Sequence, residues 1–290
     1  MTPTIAALPE PLVDKAVRAA LAEDLGLQGD ITTNATVPAN VRAMAVIAAR
    51  NDGVVAGLQL AEAAFRALDP NVEFEIKAND GTMVRSGENI AIISGHARAL
   101  LTAERVALNY MGRLSGIATL TRRYVDAVSG THVKIVDTRK TTPGLRAFEK
   151  YAVRCGGGQN HRTGLFDAIL IKDNHIVAAG GLARAIESAQ AAAGHMVKIE
   201  VEVDTLEQLE DVLKYKVDAV LLDNMTVAQL KAAVKAIAGR AIVEASGGVS
   251  LATVRGIAET GVDMISIGAL THSAPVLDLG LDFTTDMSAQ

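Results

Sequence analysis

The chain has 290 residues, enough for one large domain or two ordinary ones. Apolar residues make up 49% and charged residues 21%, so a sizeable core can form and wholesale disorder is excluded. A net charge of -5 gives no basis for nucleic-acid or membrane binding, and a single cysteine, Cys155, rules out an intrachain disulfide framework.

Met1 to Pro11 lacks the basic-then-apolar pattern of a signal peptide, and no apolar stretch is long enough to cross a bilayer. The expectation is a soluble, cytoplasmic protein. Pro9 to Glu23 reads as a helix because Leu12, Val13, Ala16, Val17, Ala20 and Leu21 recur at helical spacing, and Gly26 stops it. Ala43 to Ala49 is strand-like and ends at the turn Asn51-Asp52-Gly53; Val54 to Gly57 resumes an extended run. Gln59 to Leu68 reads as a helix ending at Asp69-Pro70. Phe74 to Lys77 and Ile90 to Ser94 are short strands separated by Asn79-Asp80-Gly81. This first region has the pattern of a small α+β domain. A long helix is predicted from Ala97 to Val128, with Gly112 and Gly116 as candidate interruptions.

Beyond it, short β-branched runs alternate with helices. The predicted strands are Val133–Val136, Ala168–Ile171, Val197–Val203, Ala219–Leu222, Ala241–Glu244 and Met264–Ile267. The predicted helices are near Leu182–Ala193, Leu206–Lys214, Val227–Ala238 and Leu251–Glu259. That alternation argues for a parallel sheet. Polar residues follow nearly every strand: Asp137 and Arg139, Lys172 and Asp173, Asp223 and Asn224, Ser246 and Gly247, and Gly268. In a β/α barrel these would converge on one mouth, with a phosphate site after the last strands. The count is short of eight, so the barrel is incomplete or one strand lies hidden between Thr142 and Asn160.

Arg139-Lys140, Arg146, Arg154, His161-Arg162 and Lys172 concentrate positive charge in a net-acidic chain. A solvated surface face is the bland alternative. Arg139 and Lys140 follow one predicted strand and Lys172 another, which favours a polyanionic ligand, because guanidinium groups pair well with carboxylates and phosphates. In Ile199-Glu200-Val201-Glu202-Val203 the two Glu side chains, with Lys198, share one strand face. Such a row is costly inside a barrel unless paired or metal-bound. Asp223 ends the next strand beside Glu202, and two hard oxygen donors near a phosphate site suit Mg²⁺. Gly156-Gly157-Gly158 follows no strand and matches no nucleotide-binding loop. His175 and His272, judged alone, read as structural. This constellation fits transfer of a phosphorylated sugar and leaves the acceptor open.

Asp137 to Arg146 (DTRKTTPGLR) resembles the DTRKT-x-PGLR segment of quinolinate phosphoribosyltransferases, and Lys150 to Arg162 (KYAVRCGGGQNHR) resembles the same family's K-x-AV-x-x-GGG-x-x-HR. LIKDNH at Leu170–His175, IEVEV at Ile199–Val203, LLDNM at Leu221–Met225 and EASGG at Glu244–Gly248 follow in family order. Upstream, GDITT at Gly29–Thr33 and AERVALNYMGRLSGIAT at Ala103–Thr119 also match. The resemblance implies an N-terminal α/β sandwich domain, 1–114, and an incomplete seven-stranded TIM-like α/β barrel, 115–274. The tail, 275–290, is expected to pack on the first domain. The implied reaction joins quinolinate to phosphoribosyl pyrophosphate with decarboxylation, giving nicotinate mononucleotide in NAD biosynthesis. The implied assembly is a homodimer with shared active sites, with a hexamer left open. Carried over by motif, Arg139, His161, Arg162 and Lys172 would hold the quinolinate carboxylates, joined by Arg105 from the partner subunit. Lys140 would contact phosphoribosyl pyrophosphate, and Glu202 and Asp223 would bind Mg²⁺ near the ribose. Ser246, Gly247, Gly248, Gly268 and His272 would cradle the 5-phosphate. The alternatives are a related phosphoribosyltransferase acting on another acid and a non-catalytic phosphate-ligand barrel.

Overall fold

The computed structural model describes residues 5–285. The chain divides into two compact units. The first runs to Arg122 and regains Ala147–Gly157 and the segment from Ala274 onward; the second holds Arg123–Arg146 and Gly158–Ser273. The boundary expected between 114 and 115 therefore falls inside a helix, and the first unit takes in more of the chain than 1–114.

The first part of the chain comprises α1 Glu10–Leu25, α2 Ile31–Thr36, β1 Arg42–Ala49, β2 Gly53–Val54, α3 Leu58–Leu68, β3 Glu73–Ile76, β4 Met83–Val84, β5 Asn89–His96 and α4 Ala97–Ala127. The repeating part comprises β6 Lys134–Val136, α5 Arg146–Cys155, β7 Ile169–Ile171, α6 Asp173–Ala179, α7 Leu182–Ala192, β8 Ile199–Val203, α8 Leu206–Val212 and β9 Ala219–Asp223. It continues through α9 Val227–Ile237, β10 Ile242–Ser246, α10 Val254–Ala258, β11 Met264–Ser266 and α11 Ala269–His272, and the chain closes with β12 Leu279–Thr285.

The first unit is built on an antiparallel sheet in the order β12-β1-β5-β3. β1 is central because Ala43, Ala45, Ile47 and Ala49 alternate to one buried face. Val13, Val17 and Leu21 of α1 and Leu60, Ala61, Ala64 and Phe65 of α3 supply buried helical stripes. The half-buried Asp80 carboxylate accepts the N–H groups of Gly57 and Leu58 at the start of α3 and the Tyr151 hydroxyl at 2.6 Å. Gly112 and Gly116 do not interrupt α4. They admit the 275–277 segment, where Leu277 N–H donates to Gly112 O at 3.0 Å and a Cβ on Gly116 would lie 1.9 Å from Pro275 O.

The second unit is a parallel sheet in the order β6-β11-β10-β9-β8-β7. An isolated parallel bridge joins Val136 to Gln159 and supplies a seventh position beside β6. Gln159 and β7 are not paired among the described residues, so the ring has a seam there. β6 and β7 are edge strands, which a flat sheet would hold roughly 24 Å apart. Residues following both strands nevertheless line one cavity, so the sheet is curled. Buried Ile199, Val201 and Val203 fill one face of β8, while Glu200 and Glu202 take the other. Lys198 lies before the strand and is drawn off to Asp218 at 2.6 Å, so it does not join that row.

Candidate active site

Two cavities adjoin at the C-terminal ends of the parallel strands. The larger, about 400 Å³, is lined by Arg139 and Lys140 after β6, His161 and Arg162 after Gln159, Lys172 after β7, and Glu202, Asp223, Glu244, Ser246 and Ser266 on β8 to β11. The smaller, about 350 Å³, shares Thr138, Lys140, Asp223, Ser246 and Ser266 with it and adds Asn224, Gly247, Gly248, Val249, Ile267, Gly268, Ala269 and His272. Lys140 thus borders both, with its backbone carbonyl accepting the Thr271 hydroxyl at 2.7 Å.

Period-two alternation explains the acidic wall. Glu200 and Glu202 point inward from β8, Asp223 from β9 and Glu244 from β10. Glu202 forms an ion pair with Lys172. Asp223 accepts the Asn224 side-chain amide at 2.6 Å. Asn224 sits at φ 53, a left-handed conformation that asparagine tolerates. Its carboxamide lies where a side chain at position 247 would begin, because a Cβ on Gly247 would meet Asn224 Oδ1 at 2.1 Å. Gly247 is required by that contact as well as by its φ of +90.

The loop before β7 is pinned by Asp137, which is fully buried. It accepts the Asn160 amide at 2.6 Å and the His161 backbone N–H at 2.9 Å. His161 places Nε2 3.1 Å from Glu200 and 3.3 Å from Glu244, and its Nδ1 accepts the Arg162 backbone N–H at 2.8 Å. Burial opposes a charged imidazole, but hydrogen bonds and charge from Glu200 and Glu244 raise its pKa to about 10. Burial, with the Glu244 charge, moves the Glu200 carboxyl upward as well. The raised His161 pKa favours the protonated ring, whereas acceptance of the Arg162 N–H at Nδ1 belongs to the neutral ring, whose proton then lies on Nε2 between the carboxylates. Arg162 is lowered by burial and by the neighbouring Arg139 guanidinium.

Arg139, Lys140, His161, Arg162, Lys172, Glu202 and Asp223 are thus brought together, and Ser246, Gly247, Gly248, Gly268 and His272 line the adjoining cavity. Arg105 lies on α4 in the first unit, its side chain 66% exposed and 3.8 Å from Glu104. Arg146 and Arg154 leave the cationic group. Arg146 binds Thr141 Oγ1, Thr163 O and Arg139 O, and Arg154 stacks 5.5 Å over the Tyr151 ring. His175 caps its own turn, accepting Lys172 N–H at 2.9 Å. Sequence reading missed Glu244, Ser266 and Thr138 as lining residues. Alternation backward from Ser246 through β10 would have turned Glu244 inward. Glu202 and Asp223 offer hard carboxylate oxygens beside a cavity rich in N–H groups, a donor set that fits Mg²⁺ sharing its remaining positions with phosphate oxygens and water.

Family models for the N-terminal and C-terminal domains of quinolinate phosphoribosyl transferase match residues 30–115 and 117–282. The chain is 47% identical over 273 residues to a Mycobacterium leprae nicotinate-nucleotide pyrophosphorylase [carboxylating], covering 92% of this chain and 95% of that one. It is 44% identical over 292 residues to the chloroplastic protein of that name from Arabidopsis thaliana, covering 94% and 83%. Among solved structures, NadC from Streptococcus pyogenes superposes with a TM-score of 0.93 at 42% identity, over 97% of this chain and 99% of that one.

Proposed function

The chain belongs to the quinolinate phosphoribosyltransferase family, and we propose that it transfers the phosphoribosyl group of phosphoribosyl pyrophosphate to quinolinate with decarboxylation, in de novo NAD biosynthesis. The carrying observation is the pair of adjoining cavities. One gathers Arg139, Arg162 and Lys172 against Glu202 and Asp223, and the other is walled by Gly247, Gly248, Gly268 and His272. The first suits a small dicarboxylate; the second suits a terminal phosphate held by backbone N–H groups.

In this reading Arg139, Arg162 and Lys172 orient the quinolinate carboxylates, with His161 bordering the same end. Lys140 stabilises the leaving pyrophosphate, and Ser246, Gly247, Gly248, Gly268 and His272 hold the 5-phosphate. Glu202 and Asp223 hold Mg²⁺, which when bound neutralises pyrophosphate charge. Both carboxylates also offset positive charge that develops on the ribosyl carbon. The pyridine nitrogen bonds to the anomeric carbon as the bond to pyrophosphate breaks. The resulting pyridinium charge stabilises the electron pair that stays on C2 when CO2 departs, and that pair then takes a proton. Lys172 is held by Glu202 before substrate arrives, so substrate must draw it away or share it.

The same reading makes the active form a homodimer, with Arg105 reaching the partner's quinolinate site. The exposed Arg105 side chain supports it. It also places the enzyme in the cytoplasm, which fits a single cysteine, Cys155, buried and free. No helix among the described residues is long and apolar enough to cross a membrane. Incubation with quinolinate labelled in its 2-carboxyl group, phosphoribosyl pyrophosphate and Mg²⁺ tests the proposal. Labelled CO2 and pyrophosphate should appear in equal amounts. Turnover of nicotinate in place of quinolinate, without CO2, would reassign the acceptor.

A further inference from the structure

We propose that Glu244 is a positioning residue for quinolinate, acting through His161 on the loop that carries Arg162. The inference rests on the quinolinate reading above. An imidazole has two nitrogens, and here both are engaged within the protein. Nδ1 accepts the Arg162 backbone N–H at 2.8 Å, while Nε2 faces Glu200 at 3.1 Å and Glu244 at 3.3 Å. The ring ties the backbone at Arg162 to the Glu200 and Glu244 carboxylates.

Three contacts converge on that short loop. Asp137 holds Asn160 and the His161 backbone from one side, and the His161 ring holds the Arg162 N–H from the other. Arg162 is thereby aimed while its guanidinium stays close enough to Arg139 to feel its charge. The two guanidiniums repel, and Glu200 and Asp167 offset that repulsion at Arg162.

Glu244 is the less conventional of the two carboxylates. It is 2% exposed, and its Oε1 is buried without a hydrogen-bond partner. A buried carboxylate oxygen left in that state is unfavourable, and such groups persist at functional sites. Its Oε2 reaches the imidazole, which gives the residue a route to the binding loop. Glu244 reaches the substrate-binding cations through the protein, so its effect should fall on binding of the dicarboxylate and spare the phosphoribosyl donor.

The test is a steady-state comparison of Glu244→Gln, His161→Gln and the double variant, with each substrate varied in turn. Glu244→Gln keeps shape and removes charge. It should raise the quinolinate KM about tenfold or more, with kcat and the phosphoribosyl pyrophosphate KM changing less than about threefold. Because Glu244 acts through His161, the double variant should be no worse than His161→Gln alone. Glu244→Asp, which retains charge, should recover part of the affinity. Should Glu244→Gln fail to fold, Glu244→Asp and His161→Gln carry the same split. An unchanged quinolinate KM, an equal rise in both KM values, or additive effects in the double variant would each overturn the proposal. The parent reading fails separately, if the unsubstituted enzyme releases no CO2 from quinolinate.

Discussion

Arg139 and Glu202 line the same cavity yet should fail in different ways when removed. Arg139 lines the larger cavity, where a guanidinium can pair with an anionic ligand. Arg139→Ala should weaken quinolinate binding by about 2–5 kcal/mol, read by calorimetry; unchanged binding would remove it from the site. Glu202→Ala should lower kcat more than quinolinate affinity, because the charge it meets develops in the transition state. A variant that only raised the quinolinate KM would contradict that role. At this scale the sequence exposed the cations that follow strands, Arg139 and Lys172, because strand ends converge. It did not separate them from Arg146 and Arg154. Those two bracket α5, a helix in the stretch where the sequence suggested a hidden strand between Thr142 and Asn160. Glu244 went unassigned because its neighbours in β10, Val243 and Ala245, drew attention to the opposite, buried face.

The long helix α4 depends on two missing side chains. A Cβ at Gly116 would enter the carbonyl of Pro275, and one at Gly112 would lie 2.9 Å from Val276 Cγ1. Gly116→Ala should therefore lower stability, by about 1–3 kcal/mol or more, measured by chemical denaturation. The glycines read as helix interruptions because spacing shows what a residue does to its own element and is silent on what passes beside it. The strands of the second unit were legible from their compact β-branched runs. The seventh position was only bracketed, between Thr142 and Asn160, since a single polar bridge at Gln159 has no apolar signature. α6 escaped for a related reason: none of its residues is buried, so it carries no hydrophobic stripe. β12 pairs with β1 from Ala43↔Thr285 to Ala49↔Leu279, a long-range pairing that no local pattern announces.

For the molecule as a whole, composition bounded the class and strand-helix alternation gave the parallel sheet. Assembly is a different matter, because a sequence does not say which surfaces meet. Arg105 provides the lever. If it serves a partner's site, mixing inactive Arg105→Ala and Glu202→Ala proteins should regenerate activity, since some mixed dimers carry one intact site. Absence of complementation after subunit exchange, verified by native mass spectrometry, would argue that each chain works alone.

The unpaired stretch between Gln159 and β7 gives the parallel sheet two free borders, as a closed barrel would not have. β9 is flanked on both sides by β8 and β10, whereas β7 has β8 alone. Deuterium should therefore enter β7 and its flanking loops early and the β9–β10 amides late. Arg162 and Lys172 follow Gln159 and β7 at that border, so in the proposed reading the dicarboxylate is gripped where exchange should be earliest. Ligand should slow exchange there more than anywhere else, and the enzyme would tighten around its acid only once the acid has arrived.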